Sequence, residues 1–143
     1  MMSNHILLRS ELTGNFANDR QKVFTALKNG NFYLALDILG DTKGFSAAME
    51  DAAGKSYLIG SDVKHSKELR LTVKLPAKPK DFFEIVIYRN GERYSGSNDA
   101  NFSMEIKEPG TYRVQVRVSP MLPLPDAKKW ITWIYTNPFY VTP

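Results

Sequence analysis

Cysteine is absent from this 143-residue chain, so disulfide staples and thiolate metal sites are excluded outright, while the redox compartment stays open. Histidine is almost as scarce. His5 and His65 stand far apart, with no second histidine beside either, and each reads as a structural or solvated side chain. A self-contained histidine metal centre is hard to build from them. No apolar run approaches the roughly 20 residues that a membrane helix requires. Met1-Met2-Ser3-Asn4-His5 lacks the charged start and apolar core of a signal peptide, so the chain is expected to begin inside a longer protein. The acidic residues Asp37, Asp41, Glu50, Asp51 and Asp62 fit no calcium-loop spacing and read as turn formers. Ser95-Gly96-Ser97-Asn98 is expected to be a flexible polar tip, since no lysine or helix start follows it as a phosphate loop demands. No serine has a histidine and an aspartate in motif context. The expectation is a chain with no catalytic residue, no metal ligand and no cofactor: not an enzyme.

What is present is an ordinary globular composition, 43% hydrophobic and 24% charged, at a length that suits one domain with a core of its own. Net charge is +4 and the isoelectric point about 9.3. Much of the excess is local: Lys64, Lys67, Arg70, Lys74, Lys78, Lys80, Arg89 and Arg93 are opposed only by Glu68, Asp81, Glu84 and Glu92. Such a stretch can bind a phosphate backbone, or it can be a solvated sheet face whose lysines protect edge strands. No nucleic-acid module signature accompanies the charge. The second reading is preferred, and nucleic acid is not expected as a partner.

The clearest local signals are those of strands. Ile85 to Arg89, the turn Asn90-Gly91 and Glu92 to Tyr94 predict a hairpin, because both turn residues must take positive φ. Thr111 to Val118 sets Tyr112, Val114, Val116 and Val118 against Arg113, Gln115 and Arg117, the pattern of a strand with one wet face. Its Gly-x-Tyr-x-Val start resembles the tyrosine corner of immunoglobulin-like sandwiches. Glu68 to Leu75 alternates just as cleanly, with Leu69, Leu71, Val73 and Leu75 inward and Arg70, Thr72 and Lys74 outward. Further strands are expected at Asn31 to Asp37, Phe45 to Glu50, Ser56 to Ile59, Phe102 to Ile106, Trp130 to Tyr135 and Phe139 to Val141. Gly60-Ser61-Asp62 should break one of them. Ile6-Leu7-Leu8 reads either as a strand or as a linker, and Ser119 to Lys129 as a Pro-rich loop. One helix is expected over about 18–29, capped by Asn18 with Gln21 three residues on, carrying Val23, Phe24 and Leu27 on one face and stopped by Gly30. The fold class that follows is mainly β: an immunoglobulin-like antiparallel β-sandwich with one N-terminal α-helix.

The segment from Asn18 to Ala35 carries an Asp-Arg…Ala-Leu-x-x-Gly-x-x-Tyr-x-Ala pattern, and the chain closes on Trp133-Ile134-Tyr135-Thr136-Asn137-Pro138-Phe139-Tyr140-Val141. Gly44-Phe45, Arg89-Asn90-Gly91 and Pro109 to Val114 lie between them. In that order these stretches resemble the C-terminal β-domain of bacterial PHP (polymerase and histidinol phosphatase) proteins, which are metal-dependent phosphoesterases. The resemblance implies a non-catalytic accessory domain that packs on the catalytic barrel of the same polypeptide or mediates partner or ligand binding. It implies a docking or linking segment at 1–30, with Ile6, Leu7, Leu8, Val23, Phe24 and Leu27 against the barrel, and the sandwich at 31–143. It does not bring the active site, since the family's His-x-His does not occur. Compartment (bacterial cytoplasm or periplasm) and oligomeric state stay open.

Trp130, Trp133, Tyr135, Phe139 and Tyr140 make the C-terminus rich in aromatics. They read as core or domain packing, or as a platform for a sugar or base. Alternation puts Trp130 and Trp133 on opposite faces, so one core cannot bury both. Trp130, Trp133, Tyr135 and Tyr140 are therefore the candidate ligand or domain-interface residues. The alternative function is a stand-alone carbohydrate- or ligand-binding sandwich.

Overall fold

Two-residue periodicity sets the architecture, because each strand must bury one row of side chains. The computed structural model describes residues 1–80, 82–119 and 129–143; the Pro-rich loop with Pro120, Pro123 and Pro125 lies outside them. The order of elements is β1 (Met2–Ile6), α1 (Phe16–Lys28), β2 (Phe32–Leu36), β3 (Ser46–Glu50), β4 (Ser56–Leu58), β5 (Asp62–Lys64) and β6 (Arg70–Lys74). Then come β7 (Phe82–Arg89), β8 (Glu92–Ser97), β9 (Asn101–Glu105), β10 (Gly110–Ser119), β11 (Ile131–Thr136) and β12 (Phe139–Thr142).

These strands form two sheets with one core between them. The small sheet runs β4-β3-β6-β9 and is antiparallel throughout. The large sheet is built on β10. One edge of β10 carries β7, with β8 beyond it; the other is shared by β12, opposite Gly110 to Tyr112, and β11, opposite Gln115 to Val118. β2 and β1 extend the sheet past β11, and β5 pairs with β12 in the one parallel ladder among the described residues. Tyr112, Val114, Val116, Ile85 and Ile87 of the large sheet meet Met49, Leu71 and Val73 of the small one with no solvent exposure. Each such aliphatic side chain contributes about 2 kcal/mol to stability through its burial.

Local chemistry agrees with the expected punctuation. Asn90 and Gly91 take φ of 51° and 86°, as the hairpin turn requires. The Tyr112 hydroxyl donates to the Glu108 carbonyl at 2.7 Å, closing a tyrosine corner. Burial, followed by the neighbouring Tyr94, pushes the Tyr112 phenol up to about 12. At the end of β11, where the ladder to β10 is interrupted before Pro138, the buried Thr136 hydroxyl accepts the Val114 amide at 3.0 Å. Asn137 donates to the Gly30 carbonyl at 3.0 Å, and the Gly60 amide to the Pro138 carbonyl at 3.1 Å. Gly60 has to be glycine: a Cβ there would lie 2.4 Å from the Asn29 carbonyl oxygen.

Three expectations need correction. The helix starts at Phe16, not Asn18, because Asn15 is the cap and its side chain accepts the Asn18 amide at 3.2 Å. Asp19 then serves the preceding turn, accepting the Thr13 and Gly14 amides at 2.8 Å each, so the Asn18–Gln21 capping pair does not form. Gly60-Ser61-Asp62 does break the strand, β4 ending at Leu58, and Asp62 to Lys64 then forms the unexpected β5 along β12, a partner some eighty positions away that leaves no local trace. Ser95 to Ser97 is strand and not a free tip, held by its ladder to β7. Ile6-Leu7-Leu8, left open between strand and linker, is divided: Ile6 ends β1, which pairs with β2 from Met2 onward, and Leu7 and Leu8 lie beyond the strand. The helix is too short and too polar to cross a membrane, and no helix among the described residues could do so.

Candidate nucleic-acid interface

The outer face of the large sheet collects arginines by register. Arg113 and Arg117 project from β10, opposite Tyr88 and Glu84 of β7. The Arg113 guanidinium lies 5.0 Å from the Tyr88 ring and 4.4 Å from the Tyr135 ring, and it donates to the Tyr135 hydroxyl. Arg117 sits 4.8 Å over Trp130 and donates through Nε to Glu84 at 2.9 Å. Arg93 reaches the other Glu84 oxygen across Gly96, where a side chain would stand 2.7 Å from the guanidinium. Burial raises the Glu84 pKa, but the hydrogen bonds from Arg117 and Arg93 outweigh it and hold the carboxyl below its ordinary value. Arg89 at the hairpin is equally committed, to the Glu108 carboxylate at 2.6 Å and the Pro109 carbonyl at 2.8 Å. These cations are spent on the fold.

Lysines gather at another place. Lys74 ends the outward row of β6, flanked in register by Ser46 of β3 and Asn101 of β9, both neutral. At the other end of that strand Arg70 lies between Glu50 and Glu105. Just beyond Lys74, Pro76 packs against Gly44, which places the Asp41–Gly44 turn and its Lys43 at the same end of the sandwich. Lys78 and Lys80 follow in the Pro-punctuated segment, and all four lysines are exposed. The nearby carboxylates of Asp41 and Asp99 accept the amides of Lys43 and Asn101, at 2.8 and 3.0 Å. Among the described residues none of the four lysines is in an ion pair. Lys43 escaped the reading of the sequence because its three partners are distant in the chain; the outward phase of Lys74 was the usable signal.

The aromatic candidates do not form one platform. Trp133 is 5% exposed, and its indole donates to the Gly40 carbonyl at 3.1 Å. Trp130 (36% exposed) and Tyr135 lie among the arginines of the outer face, while Tyr140 (44%) is further along the same face, opposite Thr111 at the start of β10. Ile6, Leu7, Leu8 and Val23 are half-buried, whereas Phe24 and Leu27 are exposed. His5 is less isolated than expected: Asp37 Oδ1 and Thr42 Oγ1 approach its Nε2 at 3.1 and 3.2 Å, and the Tyr33 ring stacks on it at 4.8 Å. A nucleophile relay needs its acid and its hydroxyl on opposite ring nitrogens, so this cluster has the wrong geometry for one. Hydrogen bonding from Ser3, opposed by burial and aided by His5, keeps Asp37 below the usual carboxylate range. Among the described residues no three His, Asp or Glu side chains converge as a metal site would require.

No family model matches the chain, and no solved structure matches it. Among curated proteins it is 30% identical over 89 residues to the large ribosomal subunit protein uL18 of Brachyspira hyodysenteriae. The match takes in 62% of this chain and 72% of that relative. The chain belongs to the uL18 family. This overturns the PHP resemblance, and with it the accessory-domain role, the catalytic barrel as partner and the carbohydrate-binding alternative. The residues that carried the resemblance are those the scaffold itself demands. Gly30, Thr136, Asn137 and Pro138 bridge a strand gap and a close backbone approach, and Tyr112 closes the corner. Short motifs of this kind report local backbone chemistry before they report descent. The uL18 relationship equally removes the ground on which nucleic acid was set aside, the want of a module signature.

Proposed function

We propose that this chain is a binding component of the large ribosomal subunit and that it contacts ribosomal RNA through Lys43, Lys74, Lys78 and Lys80. The uL18 relationship carries the reading. The exposed, unpaired lysines supply its physical means, since each ammonium that meets a phosphate releases a condensed counterion. No aromatic ring lies among the four on the outward rows of β3, β6 and β9, which present Ser46, Thr72, Asn101 and Ser103. The contact is therefore with phosphate and sugar, fixing position without reading bases. The chain acts in this reading as a binder without a catalytic step, in the compartment where ribosomes assemble. The test is a salt titration of binding to large-subunit ribosomal RNA. Four phosphate contacts give a slope of log affinity on log salt of roughly −3 to −4, and the chain co-sediments with the subunit. Affinity indifferent to salt, with no co-sedimentation, would overturn the proposal.

A further inference from the structure

The helix presents an apolar arc that no other part of the described structure covers. Phe16 is 79% exposed and Phe24 55%, and Leu27 lies between them on the helical wheel, with the exposed Leu12 preceding the first turn. The seam that touches the rest of the protein is elsewhere on the helix, at the buried Ala26. Large apolar side chains gathered on one exposed face mark an interaction surface and not a monomer's normal scatter. The helix is held ready for contact: Asn15 caps it, the clamp of Asp19 on Thr13 and Gly14 fixes the entry, and Gly30 closes it.

Charge says what covers the arc. Around it stand Arg9, Arg20 and Lys28, none of them ion-paired among the described residues. Arg20 lies 5.2 Å over the Phe24 ring, in the middle of the stripe. Asp19 is occupied by the turn and by Lys22, which leaves Glu11 as the one uncommitted carboxylate between residues 9 and 28. We infer that this helix face docks a protein partner whose apolar pocket is rimmed by carboxylates. Phe16, Phe24 and Leu27 enter the pocket, and Arg20 and Lys28 meet the rim. An RNA would complement the cations but gains little from aliphatic Leu12 and Leu27, and a second copy of this chain would bring cations against cations.

The surface is separate from the lysine end, so it is tested without assuming that site. A photo-crosslinking phenylalanine analogue replaces Phe24 in the full chain expressed in cells, with the same analogue at Thr72 as control. The expected product is a crosslink to one protein, at a segment bearing Asp or Glu, from position 24 and not from position 72. Arg20→Glu lowers its yield at least about fivefold, and changing the contacted carboxylate to Lys restores it. Circular dichroism of Arg20→Glu should be unchanged, because Arg20 is exposed and lies over a ring of its own helix, in no ion pair among the described residues. Overturning outcomes are crosslinks to RNA alone, to a second copy of this chain, to a segment without carboxylates, or to nothing, and equally an Arg20→Glu yield that does not fall. Loss of ribosomal co-sedimentation with the protein crosslink intact would count against the ribosomal proposal and leave this one standing.

Discussion

Arg113 and Lys74 occupy outward rows of the two sheets, yet one is part of the protein's structure and the other belongs to solvent. The difference lies in the cation and in what its strand neighbours offer. A guanidinium is planar and weakly hydrated, and it carries several donors in fixed directions. Between Tyr88 and Tyr135, or against both oxygens of Glu84, it recovers in ring and carboxylate contacts what it loses in water. An ammonium is strongly hydrated and compact, and beside Ser46 and Asn101 it has nothing to hold it down. Net positive charge is thus a poor guide to a binding face until each cation is asked whether it is already engaged. Most of the arginine charge on the large sheet is neutralised or stacked, and the lysine end is where an anion would still gain.

The sharpest break of this contrast is replacement of Lys43, Lys74 and Lys78 together by Gln. The salt slope for ribosomal RNA should fall by about 2 to 3, while the denaturation midpoint stays put; a midpoint that moves and a slope that does not would reverse the assignment. Arg113→Ala should do the opposite, costing about 2 kcal/mol of unfolding free energy through lost packing and cation–π contact. Urea denaturation measures the cost, and RNA affinity per folded molecule should be unaltered. Glu84→Gln should cost about 1 kcal/mol near neutral pH, the modest figure reflecting the water that still reaches the cluster. The carboxyl's folded pKa lies below its ordinary 4.5, so the stabilisation is present above that value and is lost as pH falls through the depressed one. The acid limb of a stability–pH curve should therefore flatten in the variant. Tyr112→Phe is the mildest change, removing the hydroxyl that bonds Glu108. With the folded phenol at about 12 against an ordinary 10.0, its contribution is complete below pH 10 and fades as pH climbs through 12. The wild type should lose stability over that alkaline interval more steeply than Tyr112→Phe does.

Strand content, the Asn90-Gly91 hairpin, the tyrosine corner and the inward rows of β6 and β10 were legible because each depends on residues two to four positions apart. The helix was legible in existence but displaced at its start: Asn15 and Asn18 are both good caps, and the choice fell to Asp19, whose carboxylate closes the turn before Asn15. β5 could not be read, since three residues pairing in parallel with the far end of the chain leave no periodic signal. The site was legible in part. Lys74 lay in phase on the outward face, but the company of Lys43 depends on Gly44 packing at Pro76. The closing Trp-Ile-Tyr-Thr-Asn-Pro motif shows the opposite failure, a pattern read as kinship whose residues answer to a gap in hydrogen bonding.

Alternation, turn residues and charge, all local quantities, were enough to determine that this chain forms an antiparallel sandwich with one helix, lacks cysteine chemistry and is basic. Only the tertiary structure decided which cations remain available and which apolar faces remain open. Engagement of an arginine, burial of a tryptophan or exposure of Phe16 and Phe24 depends on what lies across the next strand, and register sets those neighbours over distances no short window spans.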